Sequence, residues 1–434
     1  MTTSSRTLIT LFGLTLAASA ENWPQWRGPA FNGTSPEKNL PSQITAESIN
    51  WKSELPGFSG ATPAVWGDTI FLTSPDPNKD LLLYCIDRKD GKVRWKKVVS
   101  TGDIVKGRGN MASPSPVTDG KAVYTLFGTG DLAAFDFTGK ELWKRNLGTD
   151  YGKFSINWIY GSSPLLYQGK LYVQVLQRTP TPSDYPGIAG SEGDRESYLL
   201  ALDPKTGKTI WKHVRPTTAK LESMESYATP VPHESGGKSQ LLVVGGDFLS
   251  GHDPETGKEL WRGFGLNRKG GEWMRIVASP VSAGNVAIAC GPKQEPVLAF
   301  RTDLTGDITE KGVAWTFDEK QTPDVCTPAY ANGKLYVLNG DKQVLTCMDP
   351  KTGAKLWQGK LGGDTIRSSP TVADGKVYTI SEKGNVVICD ATGSEFKILS
   401  TYQFEGAEPT RSSIVVSNGQ LFVRTANALY CIGK

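Results

Sequence analysis

Histidine is the scarcest chemistry-bearing residue in this 434-residue chain, with only His213, His233 and His252. So few argue against a multi-histidine metal site. The six cysteines include no adjacent pair and no Cys-x-x-Cys-His run, so the signature of covalent haem attachment is missing. No Gly-x-Ser-x-Gly elbow, phosphate-binding loop or paired-carboxylate motif is present. The formal net charge of +4 is mild and evenly spread, which argues against a nucleic-acid partner. The apolar run Leu8–Ala18 is too short to span a bilayer, which takes about 20 residues.

That run instead belongs to a secretory signal. Arg6 precedes it, and Ala18-Ser-Ala20 supplies a small-residue cleavage site before Glu21. No cysteine follows at the site of lipid attachment, so the mature chain is expected to be soluble, periplasmic or secreted. Residues 1–20 read as the signal, 21–44 as a Trp-rich strap, and 45–434 as one domain. The strap, Asn22-Trp-Pro-Gln-Trp-Arg-Gly-Pro29, has two readings. Trp23 and Trp26 clamp the domain's flank or base, or they form a stacking platform for a sugar.

What the chain has in abundance is a repeated phrase. Ala201-Leu-Asp-Pro-Lys-Thr-Gly-Lys-Thr-Ile-Trp211 is a tight turn between two strands, with Pro presetting φ and Gly supplying positive φ. It returns at Asp87…Gly91…Trp95, Asp253…Gly257…Trp261 and Asp349…Gly353…Trp357, one residue shorter at Asp136…Gly139…Trp143, and worn at Trp315 and Asp390…Gly393. Before each copy stands Ser/Thr-Pro, a short apolar stretch, Gly, and an alternating strand, as in Ala61-Thr-Pro63, Ser113-Pro114, Ser162-Ser-Pro164 and Ser368-Ser-Pro370. Two hairpins per unit at this period, in eight units, indicate an all-β, eight-bladed propeller with four-stranded blades. Seven blades is the alternative. The last unit, ending at Ala428–Ile432, lacks an outer strand, and Ile49–Leu55 is an outer strand without inner ones. The N-terminal strand is therefore expected to complete the last blade and remove an open edge.

The pattern Ala-x-Asp-x-x-Thr-Gly-x-x-x-Trp resembles the tryptophan-docking motif of quinoprotein dehydrogenase propellers. The wider pyrroloquinoline-quinone (PQQ) repeat family includes the outer-membrane assembly factor BamB. The resemblance covers about residues 45–432 and assigns Trp51, Trp95, Trp143, Trp211, Trp261, Trp315 and Trp357 to blade docking. It speaks for fold more than for function. A dehydrogenase of this family needs PQQ, a Ca²⁺ ion and a carboxylate base, and its enzymes commonly place a disulfide of adjacent cysteines over the cofactor. This chain has no such pair, so neither PQQ nor Ca²⁺ is expected.

Cys85, Cys347 and Cys431 share one blade position and read as small buried hydrophobes. Cys389 is offset by one residue. Cys290 and Cys326 are placed where a bridge between neighbouring blades is conceivable. The binding surface of a propeller is the channel mouth, where loops enter the innermost strands. The candidates there are Arg108 and Asn110; Asn157, Trp158 and Tyr160; Glu222 and Glu225; Trp273 and Arg275; Asp324; Asp364 and Arg367; and Glu408 and Arg411. They form either a pocket with arginine forks for a carboxylate, phosphate or sulfate, or a self-satisfied ion-pair network. Glu225, Asp324 and Glu408 are the potential metal ligands. Gln177–Ser197, rich in Pro, Gly and acidic residues, reads as a flexible surface loop and a potential partner contact.

Together these features describe a monomeric, non-catalytic binding or assembly scaffold with an envelope-protein or glycan partner. A carbohydrate- or anion-binding protein and a PQQ/Ca²⁺-dependent alcohol or sugar dehydrogenase are the alternatives.

Overall fold

In the computed structural model of the protein, residues 22–433 are described, so the expected signal segment lies outside them. Eight four-stranded antiparallel blades follow one another in chain order. Blade 1 runs through Ala64–Trp66, Thr69–Pro75, Asp80–Asp87 and Val93–Thr101. Blades 2 to 7 open at the inner strands Val117–Thr118, Leu165–Tyr167, Val231–Ser235, Val281–Ala283, Ala329–Ala331 and Thr371–Ala373. In blade 8, Val415–Ser417, Gln420–Arg424 and Ala428–Gly433 are completed by Ile49–Glu54, which pairs antiparallel with Ala428–Gly433. The expected closure by the N-terminal strand is present, and eight is the blade count.

Middle strands such as Thr69–Pro75 and Tyr198–Leu202 are buried throughout because neighbouring blades cover both their faces. Outer strands such as Thr209–Val214 alternate between half-buried and exposed, as a sheet edge in water should.

The indoles join each blade to the next. Trp51, Trp95, Trp143, Trp211 and Trp315 each donate Nε1–H to the carbonyl of Arg88, Phe137, Pro204, Pro254 or Pro350, the residue after the turn Asp of the following blade. The turn glycine lies against the same ring. Gly353 has φ +72°, and a Cβ there would come within 2.7 Å of Trp315. Glycine is therefore required twice over, by backbone and by packing.

Two indoles depart from the pattern. Blade 5 has no Asp-x-x-Thr-Gly turn, and its Gly306–Asp307 instead pairs along the outer strand of blade 4, opposite Trp261. Trp261 consequently bonds Gln240 Oε1 within its own blade, at 2.7 Å. Trp357 Nε1 is buried without a partner among the described residues, while the Tyr336 hydroxyl donates to the Ala391 carbonyl of blade 7 at 2.9 Å.

Around the axis runs a closed belt. The N–H of Thr62 donates to Ser115 Oγ, and the series continues through Ser163, Thr229, Ser279, Thr327, Ser369 and Ser413 back to Thr62. Seven of these eight residues precede a proline. In blade 2 the belt residue is Ser115 of Ser115-Pro116, two places beyond the Ser113-Pro114 phrase picked out above. Ser113 instead caps Asn110 through its hydroxyl.

Residues 22–44 cross the end of the channel opposite the mouth. Trp23 bridges Val65 of blade 1, and Pro24 O accepts from Thr118 of blade 2. Gln25 reaches Leu166 of blade 3, Asn32 O accepts from Tyr330 of blade 6, and Thr34–Ser35 pairs with blade 7. Trp23 is fully buried. The segment forms a plug across this end of the channel, and the cup lies between it and the mouth.

Candidate functional site

The cup has a volume of about 390 Å³, in the range of small-molecule pockets. Its rim carries Arg108, Trp158, Arg275, Asp324, Arg367 and Arg411; belt residues line it further in, and Trp26 reaches it from the plug. Trp26 thus reaches the channel from the strap that crosses its base.

Ion pairs organise the rim. Arg275 lies 3.3 Å from Glu222 and 3.2 Å from Asp324. Glu222 also accepts the Trp158 indole N–H at 2.8 Å, which fixes the ring at the wall. Arg411 meets Glu382 at 2.9 Å, and Arg108 meets the same carboxylate at 3.5 Å. Arg411 further donates to the Arg108 carbonyl. Arg367 pairs with Asp341 at 2.5 Å. Arg108 is the most open of the four arginines, with 60% of its side chain exposed.

Sequence reasoning missed Glu382 and Asp341. Both sit in the turns joining the second and third strands of their blades, at Ser381-Glu-Lys-Gly384 and Gly340-Asp-Lys342. Those turns open on the same face as the loops entering the inner strands, so charged residues just past each second strand were the available signal.

Other candidates stand elsewhere. Glu408 is exposed and outside the cup. Trp273, 52% exposed, lies outside the lining, with the Arg178 guanidinium 6.0 Å from its ring. Tyr160 is a core residue whose hydroxyl bonds the Gln174 carbonyl, and Asn110 is buried against the Phe58 carbonyl. Asn157 accepts from Lys106 Nζ at 2.6 Å, and Asp364 from the Ser381 hydroxyl at 2.7 Å.

Glu225 is buried behind the wall. It accepts from the Tyr185 hydroxyl at 2.5 Å, the Asn157 N–H at 2.9 Å and the Tyr227 hydroxyl at 3.0 Å. Burial outweighs these donors and lifts its carboxyl to about 7. Tyr185 belongs to the Gln177–Ser197 loop. That loop is thus not a free surface excursion: Tyr185 and Ile188 are buried and anchor it beside the mouth.

These side chains do not compose a Ca²⁺ site. Among the described residues no three His, Cys, Asp or Glu side chains converge, and the cup's own carboxylates, Glu222 and Asp324, are engaged by Arg275. All six cysteines are buried free thiols, so Cys290 and Cys326 form no bridge.

Known structures share this fold. A europium-containing methanol dehydrogenase superposes with a TM-score of 0.70 at 12% identity, covering 95% of this chain and 98% of that one. The quinohemoprotein alcohol dehydrogenase from Comamonas testosteroni gives 0.67 at 13% identity, with 96% and 81% covered. BamB from Moraxella catarrhalis gives 0.59 at 14% identity, with 88% and 98% covered. No curated protein sequence matches the chain. The sequence profile of one family does, over residues 97–311 and 307–431. Blades, docking indoles and profile agree, and the chain belongs to the family described as outer membrane protein assembly factor BamB, a family of PQQ-repeat propellers.

Proposed function

We propose that the protein is a non-catalytic binding and assembly scaffold of the bacterial envelope or secreted space, which receives its occupant at the channel mouth. The observation that carries this reading is the state of the cup's carboxylates. Glu222 and Asp324 are tied to Arg275, so neither is a free base or a member of a metal cage. Glu225, whose carboxyl is lifted to about 7, is buried behind the wall and bonded on both oxygens. A partner finds a rigid, plugged cylinder with a polar rim and the anchored Gln177–Ser197 loop beside it, the kind of loop-on-scaffold surface used for recognition.

The test is direct. The mature protein is incubated with PQQ and Ca²⁺, and dye reduction is followed with alcohols and aldoses. No turnover and no concentration-dependent rise in Tm is the expected result. Saturable stabilisation with turnover would establish the dehydrogenase alternative instead.

A further inference from the structure

The belt holds a chemical consequence beyond its role in closing the ring. A backbone N–H can only donate, so each belt hydroxyl is an acceptor in its belt bond and keeps its own proton. None of the eight hydroxyls donates to any atom among the described residues. Ser115, Ser163, Thr229, Thr327, Ser369 and Ser413 line the cup, and each is more than nine-tenths buried. Their protons are left for an acceptor in the cup, and six such donors face one space.

The charge around that space is net positive: Arg108, Arg275, Lys293, Arg367 and Arg411 line it against Glu222 and Asp324. Arg27, fully buried in the plug, holds the carbonyls of Pro328 and Pro370, the residues directly after belt members Thr327 and Ser369, at 2.8 and 2.9 Å. Arg424, also fully buried, holds the carbonyl of Ala61, the residue before belt member Thr62, at 3.2 Å. Burial lowers both guanidinium groups to about 9, which leaves them charged at neutral pH. Neither has a carboxylate partner among the described residues. At the rim, Arg108 and Arg411 share the single carboxylate of Glu382. Buried and unmatched, the Arg27 and Arg424 charges act at longer range than they would at a surface.

We propose that the channel is a binding site for a sugar acid, whose carboxylate enters the ring of hydroxyl donors while its ring lies along Trp158. This deepens the reading of the channel as a binding cup and rests on it. Six inward donors exceed what two carboxylate oxygens accept, and the hydroxyls and ring oxygen of a sugar supply the remaining acceptors. Trp158, 40% exposed and held at its indole nitrogen by Glu222, offers an apolar wall for the C–H face of the ring.

Calorimetric titration of the mature full-length protein with glucuronate, glucose, inorganic phosphate and benzoate at low salt tests this. Glucuronate should bind saturably and at least tenfold more tightly than each of the other three. Arg108→Met, at an exposed position that leaves the fold intact, should weaken glucuronate at least fivefold and leave glucose unchanged. Absence of glucuronate binding at millimolar concentration overturns the proposal, as does equal binding of glucose or an Arg108→Met variant that binds normally. Benzoate or phosphate binding as tightly as glucuronate overturns its sugar half. Any of these failures leaves the scaffold reading standing, because that reading falls only to turnover with PQQ and Ca²⁺.

Discussion

The Ser413 N–H donates to Thr62 Oγ1 at 3.3 Å, the longest of the eight belt bonds and the one that crosses from the last blade to the first. The seam is thus held by a side chain as well as by the N-terminal strand. Replacing Thr62 with Val keeps the shape and removes the acceptor, leaving a buried N–H unpaired. We expect a loss of about 1–2 kcal/mol in urea unfolding, with Thr62→Ser near wild type. An equal loss in Thr62→Ser would assign the effect to the methyl group instead.

Trp315 and Trp357 occupy equivalent places but differ in one bond. The Trp315 indole holds Pro350 O at 2.8 Å, whereas Trp357 Nε1 has no partner among the described residues. Trp315→Phe therefore loses area and orphans a carbonyl, while Trp357→Phe loses area and relieves an orphaned donor. Trp315→Phe should be the more destabilising by roughly 1–3 kcal/mol in denaturant titrations. Equal costs would show that the docking bond contributes nothing beyond packing.

The fold was readable because its rules are local and repeated. The turn Asp and Gly, the indole and the Ser/Thr-Pro phrase each mark a fixed place in a blade, and one intact copy, Ala201–Trp211, teaches the others. The site was harder to read. Arg275 and Asp324 come from loops that sequence flags, yet Glu382 and Asp341 come from hairpin turns whose facing depends on strand length. Glu408 stands in the expected loop but points to solvent. Cys290 and Cys326 lie in neighbouring blades, and sequence cannot supply the geometry that a bridge demands. The plug was legible as a Trp-rich strap, but its path across the axis depends on contacts with five inner strands and no short-range pattern encodes it.

Arg275 is the hub of the rim. Glu222, which it pairs with, is almost fully buried, so Arg275→Met leaves a buried carboxylate without its cation. Breaking one side of such a pair costs several kcal/mol, about 3–5 in fully buried cases. Pairing Arg275→Met with Glu222→Gln should recover a substantial part of the loss in thermal or urea unfolding. No recovery in the double variant would place the cost in Asp324 or in packing.

Glu225 sets a pH dependence whose sign follows from its burial. Its folded value of about 7 lies above the ordinary 4.5, so between these values the folded state binds more protons than the unfolded one. Stability from this group is therefore lost as pH rises through that window, by up to about 3 kcal/mol, and is flat above it. The groups around it are the Tyr185 and Tyr227 hydroxyls, the neighbouring Glu222, and the cations Arg178 and Lys106 against the Tyr185 ring. Half-buried Asp247, raised to about 6, acts with the same sign, whereas His252 and His233, lowered to about 3 and about 4, lose stability toward acid. Whole-protein profiles mix these terms, so the comparison must be between wild type and Glu225→Gln. The difference in unfolding free energy between them should shift toward the variant from pH 5 to pH 8. Because Glu225 anchors Tyr185, protection of the Gln177–Ser197 amides from hydrogen exchange should fall over the same interval in wild type and stay constant in the variant. Parallel stability curves for the two proteins would mean that the carboxyl stays ionised in its bed of donors.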